Sequence, residues 1–312
     1  MVNKYKIAIL GIGGVGGYIG AKLAVHFRDS KEIDIFFIAR GENEKVIKQN
    51  GLKLIAGNKE TIAHPSAVTA IPAELGPLDL VICCVKSYHL EDSLVELKHC
   101  IGSDTVFLPL LNGVDATERT RKIFPVSTVL DGCIYLVSRL IAPGVVEQFG
   151  KVHQVYFGSY EYPADKLQKI ETILNEAGID AAVMPDIREI CWEKFFFIST
   201  IATLSSYLDA TIGEILGNNQ YKEKLLGLMT ELETIARVKG ILLPGNIINE
   251  TLDKLATLPF DTVPSMHTDF KKGHHTELKS TTGYVVSLGK ALHVPTPLYD
   301  EMLATLSKRS EL

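Results

Sequence analysis

The 312-residue chain has little from which to build a covalent or metal scaffold. Its five cysteines are an odd number with no C-x-x-C pair, so they supply neither a disulfide framework nor a zinc site. Cys83 and Cys84 fall inside an apolar run and read as small core residues, as expected in a reducing compartment. No block of Lys and Arg interrupts a chain of net charge −5, which argues against a nucleic-acid surface. Long hydrophobic runs are missing too. Residues 7–10 are too few for the core of a signal peptide. The stretch 195–208 is broken by Ser199, Thr200, Thr203, Ser205 and Ser206, and is shorter than the roughly 20 residues a membrane span needs. Internal repeats and low-complexity segments are absent. These absences predict a cytoplasmic protein with no nucleic-acid or membrane partner.

The informative stretch is 7–20, Ile-Ala-Ile-Leu-Gly-Ile-Gly-Gly-Val-Gly-Gly-Tyr-Ile-Gly. A short apolar run meets Gly11, Gly13 and Gly16 in the G-x-G-x-x-G spacing, and a helical pattern (Val15, Ile19, Leu23, Phe27) follows. Gly11 permits the tight turn, Gly13 lets a pyrophosphate approach the backbone, and Gly16 lets helix and strand pack closely. The backbone of Gly11, Ile12, Gly13, Gly14, Val15 and Gly16 is therefore the expected dinucleotide cradle, with helix N–H groups facing the anion.

Short β-branched runs then alternate with helical patterns: strands over 6–10, 33–38, 80–85, 105–111 and 127–137, helices over 15–27, 42–49 and 90–100. That alternation predicts a parallel, doubly wound sheet of the Rossmann type. Residues 145–149 and 154–158 read as two antiparallel strands, followed by a helix over 165–177. From Asp186 onward strand signals vanish, and helices are expected over 189–208, 212–216, 222–239, 247–256 and 276–292. The expectation is an α/β dinucleotide-binding domain over 1–185 and an all-helical substrate and catalytic domain over 186–312. Enzymes of that architecture hold substrate in the interdomain cleft. The second strand ends Ile38-Ala39-Arg40 with no acid at its tip, which favours NADP over NAD, because Arg40 offers a planar fork to a 2′-phosphate.

Further motifs occur in order along the chain: Val85-Lys86-Ser87-Tyr88, Leu111-Asn112-Gly113-Val114, Trp192-Glu193-Lys194, and Ser265-Met266-His267-Thr268-Asp269 with Gly273 and Thr276-Glu277 beyond. With the glycine loop and Arg40, this set resembles the ketopantoate reductase (2-dehydropantoate 2-reductase) family over the whole chain. The resemblance implies NADPH-dependent reduction of a 2-oxo acid in pantothenate biosynthesis. It makes Lys194 the proton donor to the substrate carbonyl and Glu277 the carboxylate that bonds substrate and helps position the lysine. It puts Ser265 near the substrate carboxylate, and Asn112 and Lys86 in contact with cofactor and substrate. A homodimer is compatible with it.

On helix pattern alone Lys194, followed by Phe195-Phe196-Phe197-Ile198, either snorkels or lines a cavity where desolvation favours its neutral form. Glu277 alone reads as a first-turn helix carboxylate. The family carries asparagines four and eight residues after the lysine; here those positions are Ile198 and Ala202, with Ser205 the next polar residue of that face. His89 and Thr282 replace an expected Gln and Asn. Each lost substrate hydrogen bond costs about 0.5–1.5 kcal/mol, more to a charged group. The substrate is therefore open: ketopantoate, a less polar 2-oxo acid, or an opine-type compound. A non-catalytic NADPH-binding sensor is the alternative outside enzymes. His267, His274, His275, Asp269 and Glu277 match no standard metal spacing, so no metal is expected.

Overall fold

The structure is a computed structural model that describes residues 4–310. The chain up to Leu111, together with Ala116–Ile187, forms one compact unit; Asn112–Asp115 and the chain from Arg188 onward form another.

The first unit is built on six parallel strands in the order β5-β2-β1-β6-β7-β8: β1 (Tyr5–Leu10), β2 (Ile33–Ile38), β5 (Ala67–Thr69), β6 (Leu78–Cys83), β7 (Ile101–Pro109) and β8 (Thr128–Val129). Taken in their own sequence, these run 3-2-1-4-5-6, the doubly wound order of dinucleotide-binding sheets. Both faces are covered, so the strands are continuous apolar runs. Alternate side chains go to opposite faces: Ile7, Ile9, Phe37, Leu80 and Ile82 to one core, Ala8, Leu10, Phe36, Ile38 and Val81 to the other.

A second sheet of five strands joins the same unit. In it β10 (Val145–Gly158) pairs with β9 (Asp131–Ala142), β11 (Asp180–Val183) and β3 (Leu52–Ala56), which carries β4 (Lys59–Ala63) at its edge. Helix α1 (Gly14–His26) lies between the two sheets: a Cβ at Gly17 would overlap Val146, and one at Gly20 would press on Phe37. The unit also holds α2 (Gly41–Asn50), α3 (Leu90–Glu96), α4 (Ala116–Ile123) and α5 (Ala164–Glu176).

Among the described residues the regular elements of the second unit are all helices: α6 (Ile187–Leu208, which begins one residue before it), α7 (Ile212–Gly217), α8 (Asn219–Val238), α9 (Ile247–Ala256), α10 (Ser265–Lys271), α11 (Thr282–Ala291) and α12 (Pro297–Ser310). Leu225, Leu228, Leu232 and Ile235 of α8, at helical spacing, pack with Phe195, Phe196 and Leu204 of α6 and with Tyr299 and Met302 of α12. Four of the five hydroxyls that interrupt α6 are satisfied internally; Ser206 Oγ is buried with no hydrogen-bond partner among the described residues. Ser199 Oγ lies 3.2 Å from Tyr299 Oη, Thr203 Oγ1 lies 2.8 Å from Thr282 Oγ1, and Thr200 donates to the Phe196 carbonyl at 2.9 Å. No helix among the described residues is long and apolar enough to cross a membrane.

Several expected elements differ. The runs 145–149 and 154–158 are one strand, whose antiparallel partner is β9; residues 150–152 bulge where Phe149 pairs with Val137 and His153 with Leu136. The strand expected over 127–137 divides at Leu130 into β8, which belongs to the parallel sheet, and β9. β3, β4, β5 and β11 were not expected, being short and lacking a long apolar run. The helix expected from 276 begins at Thr282, because the Ser280 and Thr281 hydroxyls bond back to the Glu277 carbonyl and favour a turn. Glu277 is thus a turn residue rather than a first-turn helix carboxylate. Helices α10 and α12 were also missed.

A capping box starts α7: Thr211 Oγ1 accepts from the Glu214 amide, and Glu214 accepts from the Thr211 amide. Thr211→Ala should destabilise the protein by about 1 kcal/mol in urea denaturation.

Candidate active site

The glycine loop is shaped by close contact at three of its positions, Gly11 (where a Cβ would overlap Val85), Gly14 and Gly16, and by open space at Gly13. A Cβ at Gly16 would overlap the carbonyl oxygen of Gly11, and one at Gly14 would overlap the Ser138 carbonyl of β9. Gly11 has φ +92°. Gly13 meets nothing within 4 Å, so no protein atom requires glycine there. The open space at Gly13 suits a ligand that reaches the backbone. No side chain caps α1, and its first turn carries no acid, leaving amide N–H groups for an anion. These residues fit the pyrophosphate of a dinucleotide. Asn43, which the sequence did not single out, braces the loop: its Nδ2 donates to the Ile12 carbonyl at 2.8 Å, and its Oδ1 accepts from the Gly144 amide at 2.7 Å.

Arg40 is the residue before α2, at the carboxyl end of β2, with its guanidinium paired to Glu96. Both are close to half exposed, so the pair is a weak surface contact. It engages one of the five guanidinium donors. Lys86 is exposed in the turn that follows β6. That turn is held by Arg119 of α4, which donates to the Ser87 carbonyl at 2.6 Å and to both carboxylate oxygens of Glu91 at 2.6 Å. The Arg119 bond keeps the Glu91 carboxyl below its usual range. Arg119 was missed because its partners lie 28 and 32 residues away.

In the helical unit three segments distant in sequence converge. Lys194 Nζ on α6 donates to Asn112 Oδ1 at 3.3 Å, and Asn112 Nδ2 donates to Glu277 Oε2 at 3.4 Å. The ammonium can only donate and the carboxylate can only accept, so the Asn112 amide has one workable orientation. Segment 112–115 sits tight against the turn after Glu277: a Cβ at Gly113 (φ +98°) would lie 3.3 Å from the Ser280 carbonyl oxygen. Glu277 is buried, while Lys194 and Asn112 are half-buried. Ile198, one turn beyond Lys194, is half-buried and does not pack with the unit's core cluster. Ala202 is buried against Met266, Leu278 and Leu306. Ser265 is exposed at the start of α10. Among the described residues no group of three or more His, Cys, Asp or Glu is placed to hold a metal.

A doubly wound sheet with this loop, in one chain with a helical unit holding a lysine, an amide and a carboxylate, defines the class as a dinucleotide-dependent oxidoreductase. Residues 7–162 match Ketopantoate reductase PanE/ApbA, and residues 186–310 match Ketopantoate reductase PanE/ApbA C terminal. A crystal structure of 2-dehydropantoate 2-reductase from Porphyromonas gingivalis W83 is 33% identical, with a TM-score of 0.85 over 98% of this chain and 100% of that one. The 2-dehydropantoate 2-reductase of Mesorhizobium japonicum is 27% identical over 97% of each chain. D-mandelate dehydrogenase, solved with NADH and anilino(oxo)acetate, shares the fold with a TM-score of 0.86 at 24% identity, over 98% of each chain. The chain belongs to the ketopantoate reductase family. It is an NAD(P)-dependent oxidoreductase acting on CH–OH groups, in a family whose substrates are small 2-oxo acids.

Two glycine variants separate packing from ligand contact. Gly16→Ala should lower the melting temperature, because the strand–helix contact cannot open without moving β1. Gly13→Ala should fold with an unchanged melting temperature, yet bind nicotinamide dinucleotide at least tenfold more weakly by fluorescence titration, a loss of about 1.4 kcal/mol. The Glu91 pair predicts acid sensitivity. A carboxyl whose folded pKa is depressed contributes stability above its unfolded value, and that contribution is lost as pH falls through the folded value. Glu91→Gln should therefore flatten the decline in melting temperature below about pH 4.3.

Proposed function

We propose that the protein reduces a small 2-oxo acid to the 2-hydroxy acid with NADPH, and that ketopantoate or a 2-oxo acid with a less polar side chain is its substrate. The observation that carries this reading is the Lys194–Asn112–Glu277 chain, assembled from three separate segments. A bound dihydronicotinamide supplies hydride. Lys194 holds the proton that the carbonyl oxygen takes up as it becomes a hydroxyl. Asn112 orients the ammonium through its amide oxygen and Glu277 through its amide nitrogen. In this reading the glycine loop and Lys86 bind the cofactor phosphates, Arg40 the 2′-phosphate, and Ser265 the substrate carboxylate, with residues 186–312 as the catalytic domain. Arg40 keeps donors beyond the one given to Glu96, and a phosphate dianion competes well with a half-exposed carboxylate.

Ile198 supports the less polar substrate. Its side chain is half-exposed beside Lys194, where a hydroxylated side chain would find no partner on it. An aryl 2-oxo acid, of the kind that D-mandelate dehydrogenase was solved with, belongs in the same test.

Steady-state oxidation of NADPH with a panel of 2-oxo acids tests the activity, and no turnover with any of them would refute it. NADPH should bind at least tenfold tighter than NADH, and Arg40→Ala should remove most of that gap, a charge-assisted bond being worth about 1.5–3 kcal/mol. Equal affinities in the parent protein would count against the NADP assignment. Lys194→Ala should cut kcat by about 10²–10⁴ with little change in cofactor affinity. Ile198→Asn should raise kcat/KM for ketopantoate relative to a 2-oxo acid lacking its hydroxyl; no shift in a folded variant would place hydroxyl recognition elsewhere.

A further inference from the structure

The helical unit also holds a buried Ser–His–Asp chain. His267 of α10 is 1% exposed, with Nδ1 lying 2.8 Å from Ser205 Oγ and Nε2 lying 2.6 Å from Asp209 Oδ1. A hydrolytic triad is excluded by its geometry. Ser205 has no exposed surface, and its hydroxyl donates to the Ala210 carbonyl at 2.5 Å. The acid end faces solvent instead.

Hydrogen-bond accounting bears on the charge of the ring. Ser205 has one hydroxyl proton, directed at Ala210, so toward Nδ1 it can only accept. The Asp209 carboxyl, held below its usual range by the bonds from His267 and Lys271, is ionised and also only accepts. Both ring nitrogens therefore face groups that accept, an arrangement that an imidazolium satisfies. Asp209 stands just past α6 with a left-handed φ of 52°, a conformation that Asp adopts more readily than most residues with a side chain. Lys271, one turn after His267, reaches the same Asp209 oxygen at 3.1 Å. The other charged groups nearby are Glu214 of α7, which interacts with both Asp209 and Lys271, and Arg309 of α12, which donates to the Ser206 carbonyl at 2.9 Å. Asp269 of α10 lies 4.0 Å from His274.

We propose that the His267 imidazolium is a positioning residue that latches α10, and with it Ser265, onto the end of the helix that carries Lys194 and Ile198. Loss of one ring proton leaves a nitrogen lone pair facing an acceptor, and one of the two bonds breaks. The start of α10 then loosens, and substrate affinity falls while the proton donor is untouched. The kinetic consequence rests on the proposed role of Ser265; the protonation of the ring does not.

Nitrogen-15 NMR of the histidine rings tests it, with His267→Gln identifying the signals. At pH 6 both ring nitrogens should be protonated. As the ring deprotonates at higher pH, hydrogen exchange across 265–271 should accelerate. KM for the preferred 2-oxo acid should rise at least threefold over the same range. His267→Gln should show a high KM without that pH step, and a kcat profile like the parent's. Should that variant fail to fold, Ser205→Ala serves: without the hydroxyl the ring can stay neutral, and the KM step should shrink. A single ring proton at pH 6, or a KM step unchanged in the variants, overturns the latch. If no 2-oxo acid is reduced, the proposed function falls, and the ring protonation and exchange measurements decide the latch by themselves.

Discussion

The carbonyl oxygen of Gly11 occupies the space that a side chain at residue 16 would need, and the first unit depends on that contact. It brings α1 against the end of β1 and aims the uncapped helix terminus at the space beside Gly13. The same helix is enclosed on its other side by the second sheet, where Gly14 meets Ser138 and Gly17 meets Val146. A helix flanked by sheets on two sides cannot carry bulky residues throughout. Its glycine content is therefore a packing requirement, and Gly13, the residue before it, is the loop position that no packing explains.

The helical unit solves a different problem. Its central helix α6 is buried along most of its length yet carries five hydroxyl residues between 199 and 206. Unpaired, each would cost more than its side chain gains by burial. Bonds to Tyr299, Thr282, His267 and backbone carbonyls absorb four of them and tie α6 to three other helices. Lys194 stands apart from that internal accounting. Its ammonium turns to Asn112, and through it to Glu277, outside the apolar cluster that fixes the helix. A helix whose direction is set by packing is a sound platform for the proton donor proposed at Lys194, since only its tip is left to chemistry.

Much of the fold and part of the site were legible in the sequence. The apolar run before the glycine loop, the alternation that follows, and the change to helix near 186 all rest on local periodicity, and α9 falls on the expected 247–256. The elements missed were those whose partners are remote. β3 and β4 make a short edge hairpin, and β10 bends around a three-residue bulge that reads locally as a gap between two strands. At Glu277, threonine and serine hydroxyls turned an apparent helix start into a turn. Bonds such as Arg119 to Ser87, Asn43 to Gly144 and Arg40 to Glu96 have no local signature, because a polar or charged side chain reads alike whether solvated or paired.

By itself the sequence determined the class of each half, because strand, glycine turn and helix periodicity are properties of neighbouring residues. It also placed Arg40, Lys194 and Glu277 as candidates through their motifs. Tertiary structure alone decided that Asn112 bridges lysine and glutamate, that Ile198 stays half-exposed while Ala202 is enclosed, and that His267 bonds Ser205 and Asp209 at once. Those outcomes depend on which groups, 58 to 165 residues apart, meet when apolar surfaces close and most buried donors find an acceptor.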